Sequence, residues 1–347
     1  MSDFATRLIA WQKLYGRHDL PWQNTRDPYA IWVSEIMLQQ TQVTAVIGYY
    51  RRFMQRFPTI KSLADAEQEE VMQHWSGLGY YSRARNLHKS AQTIMDDHDG
   101  EFPQDFETIQ TLSGIGRSTA AAIASFAFNQ VQTILDGNVK RVLARYFVVH
   151  GWPSAPKVEK QLWSLAESLL PKTDMVAYTQ GLMDLGATLC TRSKPKCSAC
   201  PLSTSCGALA QNLTKDLPTS KPKTISPQKQ TTMLLLLHGN EVLLEKRPQS
   251  GIWGGLWSLP EIAEHEIAAE VALRRFAFEV ESEEPLAIVN HAFTHFKLAI
   301  TPQPCRLISK PQHVNAPNLI WLSIDDAISA AIPTPVRNIL LSTRQTV

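Results

Sequence analysis

The segment Leu112-Ser113-Gly114-Ile115-Gly116-Arg117-Ser118-Thr119-Ala120 contains a glycine motif between two helical patterns. Two glycines, two positions apart, separate helical patterns, and an alanine-rich helix follows them. Glycine lets a backbone turn tightly and lets a ligand come close to it. N–H groups near the start of the following helix could then hold an anion such as a nucleic-acid phosphate. A plain turn between two packed helices is the alternative, because short glycine motifs also arise by chance.

The sequence on both sides of this turn has helical periodicity up to residue 206. Asp27-Pro28 predicts the N-cap and first residue of a helix that continues to Gln40. No segment of this part alternates like a half-buried strand, so residues 1–206 are predicted to be mainly α-helical. Further helices are predicted over residues 44–57, 67–76, 82–97, 117–128, 138–148, 157–170 and 174–189.

The composition changes after the helical part. Residues 207–230 are rich in proline, serine and lysine, which predicts an interdomain linker. Short apolar runs then flank the polar turn His238-Gly239-Asn240-Glu241, a pattern typical of a β-hairpin. We therefore expect a smaller α+β domain over residues 231–347. Its strands are predicted over residues 232–237, 242–246, 286–289 and 296–300.

The bulk composition indicates a globular chain with about two domains. Hydrophobic residues make up 44% of the 347 residues, charged residues make up 19%, and the net charge is only +2. No run of 18 apolar residues and no N-terminal signal pattern are present, so we expect a cytoplasmic protein without a membrane span. The basic excess lies before residue 231. It is compatible with a nucleic-acid partner but does not require one.

Four of the five cysteines crowd into seventeen residues, which in a reducing cytosol indicates a metal site rather than a disulfide framework. An iron–sulfur cluster, a structural zinc ion and unligated thiols are the alternatives. Structural zinc usually shows two C-x2-C pairs, whereas one pair flanked by single cysteines favours the cluster. The basic residues of the first loop (Arg192, Lys194 and Lys196) could contact a phosphate backbone or could simply be solvated. The four cysteines are Cys190, Cys197, Cys200 and Cys206.

Two carboxyl groups are candidates for acid–base or electrostatic chemistry. Glu35 lies within the apolar segment Ile31–Leu38, where desolvation would raise its pKa and suit a general acid. The alternative is a glutamate on the solvent face of an amphipathic helix. Asp136 precedes a predicted helix. It could be an ordinary N-cap or a fixed carboxylate that stabilises a developing cation.

Two further segments combine residue types that contact bases. In Gln39-Gln40-Thr41-Gln42, a glutamine could insert into a base stack and hydrogen-bond base edges. In Gly77-Leu78-Gly79-Tyr80-Tyr81, a tyrosine could stack on a base. Surface glutamine and core tyrosine are the alternatives.

Together these motifs resemble those of the MutY-type adenine DNA glycosylases, within the helix–hairpin–helix superfamily. The resemblance runs from Leu20-Pro21-Trp22 to Cys206 and continues more loosely to the C-terminus. Four independent motifs in one order are more specific than any single motif. They are Val33–Val43, Gly77–Tyr81, Leu135–Val142 and the spacing of the four cysteines.

The resemblance implies roles for individual residues. Glu35 would protonate a flipped adenine and Asp136 would face the sugar, with Asn138 helping to position that site. Gln40 and Tyr80 would occupy the space around the displaced base pair, and Gln180 would contact the adenine. The cysteines would bind one 4Fe–4S cluster. The hairpin would hold DNA through Leu112, Gly114, Gly116 and Ser118.

The resemblance also implies an architecture and a partner. The helical half would form two lobes with a DNA cleft between them: a six-helix barrel at 22–129, and a cluster lobe from 1–21 with 130–206. The partner would be double-stranded DNA that carries adenine opposite 8-oxoguanine or guanine. We expect a monomer that associates with the nucleoid through DNA.

The C-terminal part resembles the family's Nudix-like recognition domain through Arg247-Pro248 and Gly251–Trp257. The glutamate-rich catalytic helix of Nudix hydrolases is not recognisable, so we expect no nucleotide hydrolysis. The family's Phe-Ser-His segment, which touches 8-oxoguanine, reads Phe293-Thr294-His295 here. Threonine keeps the hydroxyl, so we expect the contact to persist. Ser113 also departs from the proline or lysine frequent at that hairpin position, which should not matter to a turn built on glycines.

Three other functions compete with this interpretation. An endonuclease III-type enzyme would need a lysine to form a Schiff base where this chain has Ser118, and serine cannot form an imine. A catalytically silent DNA-binding module would not need both Glu35 and Asp136. A Nudix nucleotide hydrolase would need the missing helix. The sequence therefore predicts a monofunctional adenine glycosylase of base-excision repair.

Overall fold

The computed structural model describes residues 3–222, 226–263, 265–308 and 316–344. These residues form two compact units. The first unit contains the described residues up to Asp65 together with those of 86–223. The second contains Ala66–Arg85 together with the described residues after the linker. The barrel expected at 22–129 stays a prediction, and residues 66–85 within that range group with the second unit.

The described part of the first unit consists of helices and turns without strands, as predicted for a mainly α-helical domain. Helix α6 (Ser82–Asp97) begins in the second unit and continues into the first. The helices of the first unit besides α6 are α1 (Asp3–Tyr15), α2 (Pro28–Leu38), α3 (Val43–Arg56), α4 (Ile60–Ala64), α7 (Phe106–Thr111), α8 (Arg117–Phe128), α9 (Gly137–Tyr146), α10 (Pro156–Ser168), α11 (Met175–Asp184) and α12 (Gly207–Ala210).

The helix predicted at 174–189 is continuous, but its geometry changes at Asp184. The α-helix α11 ends there and one π-helical turn, Leu185–Leu189, follows. Such turns often mark functional sites. Here Gly186 lies against Asn138, where a Cβ atom on the glycine would come within 2.5 Å of the Asn138 Cβ atom. The absence of a Cβ atom at Gly186 therefore lets this turn approach the start of α9 closely.

One hydrophobic core of the first unit joins the start of the chain to its later helices. Phe4 and Leu8 of α1 pack with Tyr178 and Leu182 of α11 and with apolar residues of α8, α9 and α10. Gly181 permits this approach, because a Cβ atom there would lie 3.1 Å from Leu8. Burial of such side chains stabilises the fold by roughly 1.5–3 kcal/mol each.

The described residues of the second unit contain an eight-stranded sheet in the order β3-β2-β1-β7-β5, with β4 on β1, β6 on β7 and β8 on β2. Strands β1 and β7 are parallel and the other pairs are antiparallel. The strands are β1 (Gln228–His238), β2 (Glu241–Lys246), β3 (Trp257–Ser258), β4 (Glu261–Ile262), β5 (Val280–Ser282), β6 (Val289–Ala292), β7 (Lys297–Leu307) and β8 (Leu319–Ser323). The helices are α5 (Gln68–Trp75), α13 (Ala268–Phe276), α14 (Ile324–Ser329) and α15 (Thr334–Arg344).

The predicted hairpin is confirmed by the pairing of Leu237 with Val242 in β1 and β2. The strand expected at 286–289 is displaced, because β6 begins only at Val289. The partner strand β7 contains Pro302 and Pro304, which cannot donate N–H groups to a ladder. Regular pairing of residues 286–288 is therefore lost.

Polar bonds attach α5 to the C-terminal residues within the second unit. Glu69 pairs with Lys246 at 2.7 Å and accepts a hydrogen bond from the Trp257 indole. Gln73 donates to the Ser329 carbonyl at 3.0 Å, and Ser76 donates to the Ile332 carbonyl at 2.9 Å. None of the helices among the described residues has the length and hydrophobicity that a membrane crossing requires.

Candidate active site

Glu35 lies in α2, a helix that is apolar on nearly every side. Asp27 caps this helix by accepting from the Tyr29 N–H at 2.9 Å, and Pro28 begins it. Glu35 is the acidic group of a helix whose other side chains are mostly buried, and it lines a cavity of about 710 Å³. Packing against α3 and α8 holds it there. Glu35 therefore does not lie on the solvent face of an amphipathic helix, which was the alternative.

Asp136 caps the start of α9. Its carboxylate accepts from the Val139 N–H at 2.7 Å and from the Asn138 side-chain amide at 3.4 Å. The preceding residue, Leu135, donates its N–H to the Ser118 hydroxyl at 2.9 Å. Asp136 is thus an N-cap and also a carboxylate held in one place, so the two interpretations of this residue are compatible.

The two carboxyl groups influence each other electrostatically. Burial, and secondly the negative charge of Asp136, raise the pKa of Glu35 to about 8. Burial also raises the pKa of Asp136, while hydrogen bonds from Val139 and Asn138 and the charge of Arg141 oppose that rise. At neutral pH the site therefore offers a proton donor, Glu35, and a second carboxyl, Asp136, whose hydrogen bonds and neighbouring Arg141 counteract part of the effect of burial.

The walls of the cavity combine apolar and polar surface. Ile31, Leu38, Val43 and Trp22 supply apolar surface. Polar or charged residues, among them Gln180, make up twelve of the 21 lining residues. A cavity of this kind can hold an organic ligand and offer it hydrogen-bond partners. Arg26 also lines the cavity and donates to the Phe126 carbonyl at 2.8 Å.

The two glycines of the hairpin between α7 and α8 have different structural roles. Gly114 has φ +80°, and a Cβ atom there would lie 2.9 Å from the Asn86 Cβ atom, so this position requires glycine. Gly116 is extended with φ −90° and ψ 169°, and a Cβ atom there would meet nothing within 4 Å. The hairpin also has an Ile115 N–H bond to the Leu112 carbonyl at 3.1 Å. Gly116 therefore leaves open space beside the start of α8.

Two residues predicted to contact bases adopt left-handed backbone conformations. Gln40, between α2 and α3, has φ +57° and is exposed. Tyr80, just before α6, has φ +50° and is 46% exposed. Such conformations cost about 1–3 kcal/mol in residues other than glycine and cluster at functional sites. Both residues therefore combine a strained backbone conformation with an exposed side chain that a ligand could contact.

The segment Phe293-Thr294-His295 forms the loop between β6 and β7. Thr294 and His295 are exposed, and Phe293 stacks on Phe296 with ring centroids 4.5 Å apart. The Thr294 hydroxyl lies 3.4 Å from the Tyr80 hydroxyl. Both residues line a second cavity of about 370 Å³ that also includes Trp253. The second unit thus brings together two segments that are 214 residues apart in the chain.

The four clustered cysteines lie near one another and interact electrostatically. Burial raises the pKa of Cys200 to about 11, and the charges of Cys190, Cys206 and Cys197 add to the rise. Among the described residues, no three metal-ligating side chains converge closely enough to hold one metal ion. The identity of a metal group at these cysteines therefore stays a prediction from their spacing.

Sequence reasoning missed two arginines of α9 that hold the cysteine loop. Arg145 is 2% exposed and donates to the carbonyls of Leu217, Thr191 and Arg192. Its guanidinium also lies 3.4 Å from the Cys190 sulfur. The signal was present, because Arg145 occupies a position that the periodicity of α9 assigns to the core.

Arg141, one turn earlier, connects the same loop to the Asp136 site. It donates to the Cys190 carbonyl at 2.7 Å and to the Asn138 side-chain oxygen at 2.8 Å. It also donates to the Gly186 carbonyl at 2.6 Å in the π-helical turn. Asn138, whose amide reaches Asp136, is thereby fixed from both sides.

Comparisons with known proteins agree with this geometry. The profile of the HhH-GPD superfamily base excision DNA repair proteins matches residues 33–168, and a NUDIX domain profile matches residues 231–342. The adenine DNA glycosylase of Buchnera aphidicola (Acyrthosiphon pisum) is 39% identical over 97% of this chain and 96% of its own length. That of Mus musculus is 35% identical over 98% of this chain and 77% of its own length.

A solved structure supports the fold of the first unit. The structure of a thermostable thymine-DNA glycosylase has a TM-score of 0.55 and 31% identity, and it covers 60% of this chain and 95% of its own. The helical region followed by a Nudix-like domain is thus confirmed. Because identity above 30% extends over nearly the whole chain, the chain belongs to the HhH-GPD superfamily of base excision DNA repair proteins and, within it, to the adenine DNA glycosylases.

Proposed function

We propose that this glycosylase removes adenine that is paired with 8-oxoguanine or guanine, and that it leaves the DNA strand intact. The observation that carries the proposal is the pairing of Glu35, whose pKa is raised to about 8, with the hydrogen-bonded Asp136. Departure of a base from its sugar requires a proton donor, which Glu35 provides in the cavity, and a carboxylate near the sugar, the role that we assign to Asp136.

The reaction begins with displacement of the adenine from the duplex, because the glycosidic bond cannot be reached inside the base stack. Gln40 and Tyr80 are both assigned to this step, since each residue is exposed and has a left-handed backbone conformation. The hairpin residues Leu112, Gly114, Gly116 and Ser118 hold the backbone of the same strand, with N–H groups at the start of α8 facing a phosphate.

Cleavage then uses the two carboxyl groups. Glu35 donates its proton to a ring nitrogen of adenine, the C–N bond breaks, and its electron pair leaves with the neutral base. The positive charge that develops on the sugar is stabilised by the Asp136 carboxylate, which Asn138 and Val139 hold in place. Water adds to the sugar carbon and loses a proton, which leaves an abasic site.

The strand stays intact because no amine occupies the position from which a lyase would attack. Ser118 stands there, and its hydroxyl accepts a hydrogen bond from the Leu135 N–H. A hydroxyl cannot form the imine that strand cleavage by elimination requires. A hydrolytic glycosylase therefore fits this position better than an endonuclease III-type enzyme.

The base opposite the adenine is assigned to the second unit. Phe293, Thr294 and His295 form a loop beside Tyr80. The Thr294 hydroxyl can donate or accept one hydrogen bond, which suits the altered edge of 8-oxoguanine. The preference for this lesion rests on that loop and stays a proposal, as does the DNA duplex as partner.

The cofactor that we propose is one 4Fe–4S cluster bound by Cys190, Cys197, Cys200 and Cys206. The cluster would supply no chemistry to base removal and would fix the basic loop that contains Arg192, Lys194 and Lys196. Those three side chains are exposed and could neutralise phosphates. Iron and acid-labile sulfide in equal amounts would support the cluster, whereas stoichiometric zinc would contradict it.

The activity is tested with duplexes that carry adenine opposite 8-oxoguanine, adenine opposite guanine, or thymine glycol opposite adenine. We expect free adenine from the first two and intact strands until alkali cleaves the abasic sites. Release of thymine glycol alone, or cleavage without alkali, would contradict the proposal.

A further inference from the structure

Gln180 lines the catalytic cavity, and one end of its side-chain amide is bonded to a neighbour on the same helix. The side-chain nitrogen donates to Asp184 Oδ1 at 2.8 Å, four residues later on α11. An ionised carboxylate can only accept hydrogen bonds, so the group that faces Asp184 must be the NH₂ group. The amide oxygen, Oε1, is therefore the group left to face a ligand.

Asp184 is built as a fixed acceptor. Its residue is 0% exposed, and both carboxylate oxygens are occupied. The Arg17 guanidinium bonds Oδ1 at 2.7 Å, and the Arg17 backbone N–H bonds Oδ2 at 2.9 Å. Gly16 leaves room for this approach, because a Cβ atom there would lie 3.0 Å from Oδ2. Because Arg17 binds both of its oxygens, the charged Asp184 carboxylate cannot rotate away from Gln180, and it has no proton to donate to the Gln180 amide.

We propose that Asp184, held by Arg17, is a positioning residue that fixes the Gln180 amide with its oxygen toward the cavity and thereby selects a base with an exocyclic amine. Adenine presents the N6 amine, a donor, whereas guanine and hypoxanthine present an acceptor oxygen at the same ring position. Rotation of the amide would set its oxygen against the Asp184 carboxylate, so the wrong orientation is opposed electrostatically. The inference rests on the proposed function and explains its choice of base.

The selectivity arises because an amine and an oxygen opposite Gln180 Oε1 have unequal energetic effects. An amine opposite Oε1 forms one hydrogen bond. An oxygen there leaves two acceptors facing each other in a partly buried site, which costs more than a missing bond. Asp184 does not touch the base. Its effect must therefore be seen in the ratio of rates for two bases and not in the rate for adenine alone.

The test measures single-turnover release of adenine and of hypoxanthine, each placed opposite 8-oxoguanine. The Asp184→Asn variant lets the amide rotate and donate to the hypoxanthine oxygen. We expect its adenine-to-hypoxanthine rate ratio to fall by about tenfold or more relative to the wild-type chain. Intrinsic differences between the two leaving groups cancel, because the same two substrates are compared in both proteins.

A second variant shows whether a change in the rate ratio comes only from destabilisation of the fold. The Arg17→Gln/Asp184→Asn variant removes both charges together, so no buried charge is left without a partner. We expect the same fall in the ratio. Thr188→Val is the matched control, because Thr188 donates to the Asp184 backbone carbonyl at 2.8 Å and does not touch its carboxylate. Its ratio should equal that of the wild-type chain.

Each result decides the proposal. A reduced ratio in both Asp184 variants with an unchanged ratio in Thr188→Val supports it. Equal losses of adenine and hypoxanthine release would overturn it, because they would show general support of the site without base selection. A wild-type chain that releases no adenine would overturn both this inference and the proposed function.

Discussion

Glu35 illustrates how one buried group links stability to chemistry. Its pKa rises from an ordinary value of 4.5 to about 8 because burial disfavours the charged form and Asp136 repels it. Above pH 4.5 the unfolded chain loses this proton while the folded chain keeps it, so unfolding becomes more favourable as pH rises toward about 8. Retention of the Glu35 proton by the folded chain therefore lowers the free energy of unfolding at neutral pH.

Replacement of Glu35 by glutamine should therefore stabilise the fold. We expect Glu35→Gln to raise the free energy of unfolding by on the order of 2 kcal/mol at pH 7, with little difference near pH 4. Thermal unfolding followed by circular dichroism at both pH values would measure this. The exposed Glu101→Gln is the control and should change neither value. A Glu35→Gln variant that is less stable at neutral pH would disagree with the burial argument.

The same proton predicts the pH dependence of the reaction. The rate of adenine release in the wild-type chain should decline as pH rises through about 8, because Glu35 then loses the proton that it must donate. Single-turnover rates measured at saturating enzyme would isolate this step from duplex binding. A rate that stays constant from about pH 7 to about pH 9 would exclude Glu35 as the acid.

At the residue scale, the sequence predicted the burial of Glu35 and the N-cap formed by Asp136, but not the side chains that hold the site in place. An apolar helix around one glutamate indicated desolvation, and an aspartate before a helix indicated a cap. Arg17, Arg145 and Asp184 were missed. Arg17 and Asp184 bond to each other across 167 residues, and partners at such a separation leave no periodic signal in one sequence. Arg145 lay on the core side of the predicted helix, but nothing local indicated the carbonyl groups that it binds.

At the scale of elements, the hairpin predicts different outcomes for its two glycines. Gly114→Ala should lower the free energy of unfolding by about 1–2 kcal/mol, because φ +80° and the contact with Asn86 both oppose a methyl group. Gly116→Ala should leave stability within about 0.5 kcal/mol, since its methyl group meets open space.

Measurements of duplex binding should distinguish the role of Gly116 from that of Gly114. If a phosphate approaches the start of α8, the methyl group of Gly116→Ala should weaken binding of DNA even though the fold is unaffected. Fluorescence anisotropy with a labelled duplex would detect the change. Wild-type affinity in Gly116→Ala would argue against backbone contact at this turn.

The cysteine loop depends on one side chain of α9. Arg145→Met should lower the free energy of unfolding by on the order of 3 kcal/mol, because three carbonyl groups lose a charged donor. Arg192→Met, at an exposed position of the same loop, should have little effect. Chemical denaturation would compare the two variants, and equal stability of both would refute the structural role of Arg145.

At the scale of the whole molecule, the sequence predicted the helical half and the α+β half but not how residues 66–85 divide between compact units. Helix α5 has ordinary amphipathic spacing, which does not reveal its partners. Those partners, Lys246 and Trp257, lie 177 and 188 residues from Glu69 along the chain. Because local patterns carry no information at such separations, this division could only be seen in the structure.

Removal of the residues after position 222 should therefore loosen α5. We expect the amides of Gln68–Trp75 to exchange with deuterium faster in the shortened chain, because Glu69, Gln73 and Ser76 lose their C-terminal partners. Amides of α11 in the core of the first unit should keep their protection. Hydrogen–deuterium exchange followed by mass spectrometry would report both, and unchanged exchange in α5 would contradict the division.

The central claim is that Glu35 and Asp136 together release adenine. The most direct measurement is single-turnover release of adenine from a duplex with adenine opposite 8-oxoguanine, by wild-type, Glu35→Gln and Asp136→Asn chains of equal duplex affinity. We predict that each variant is slower by at least about 100-fold. Wild-type rates in either variant would contradict the claim.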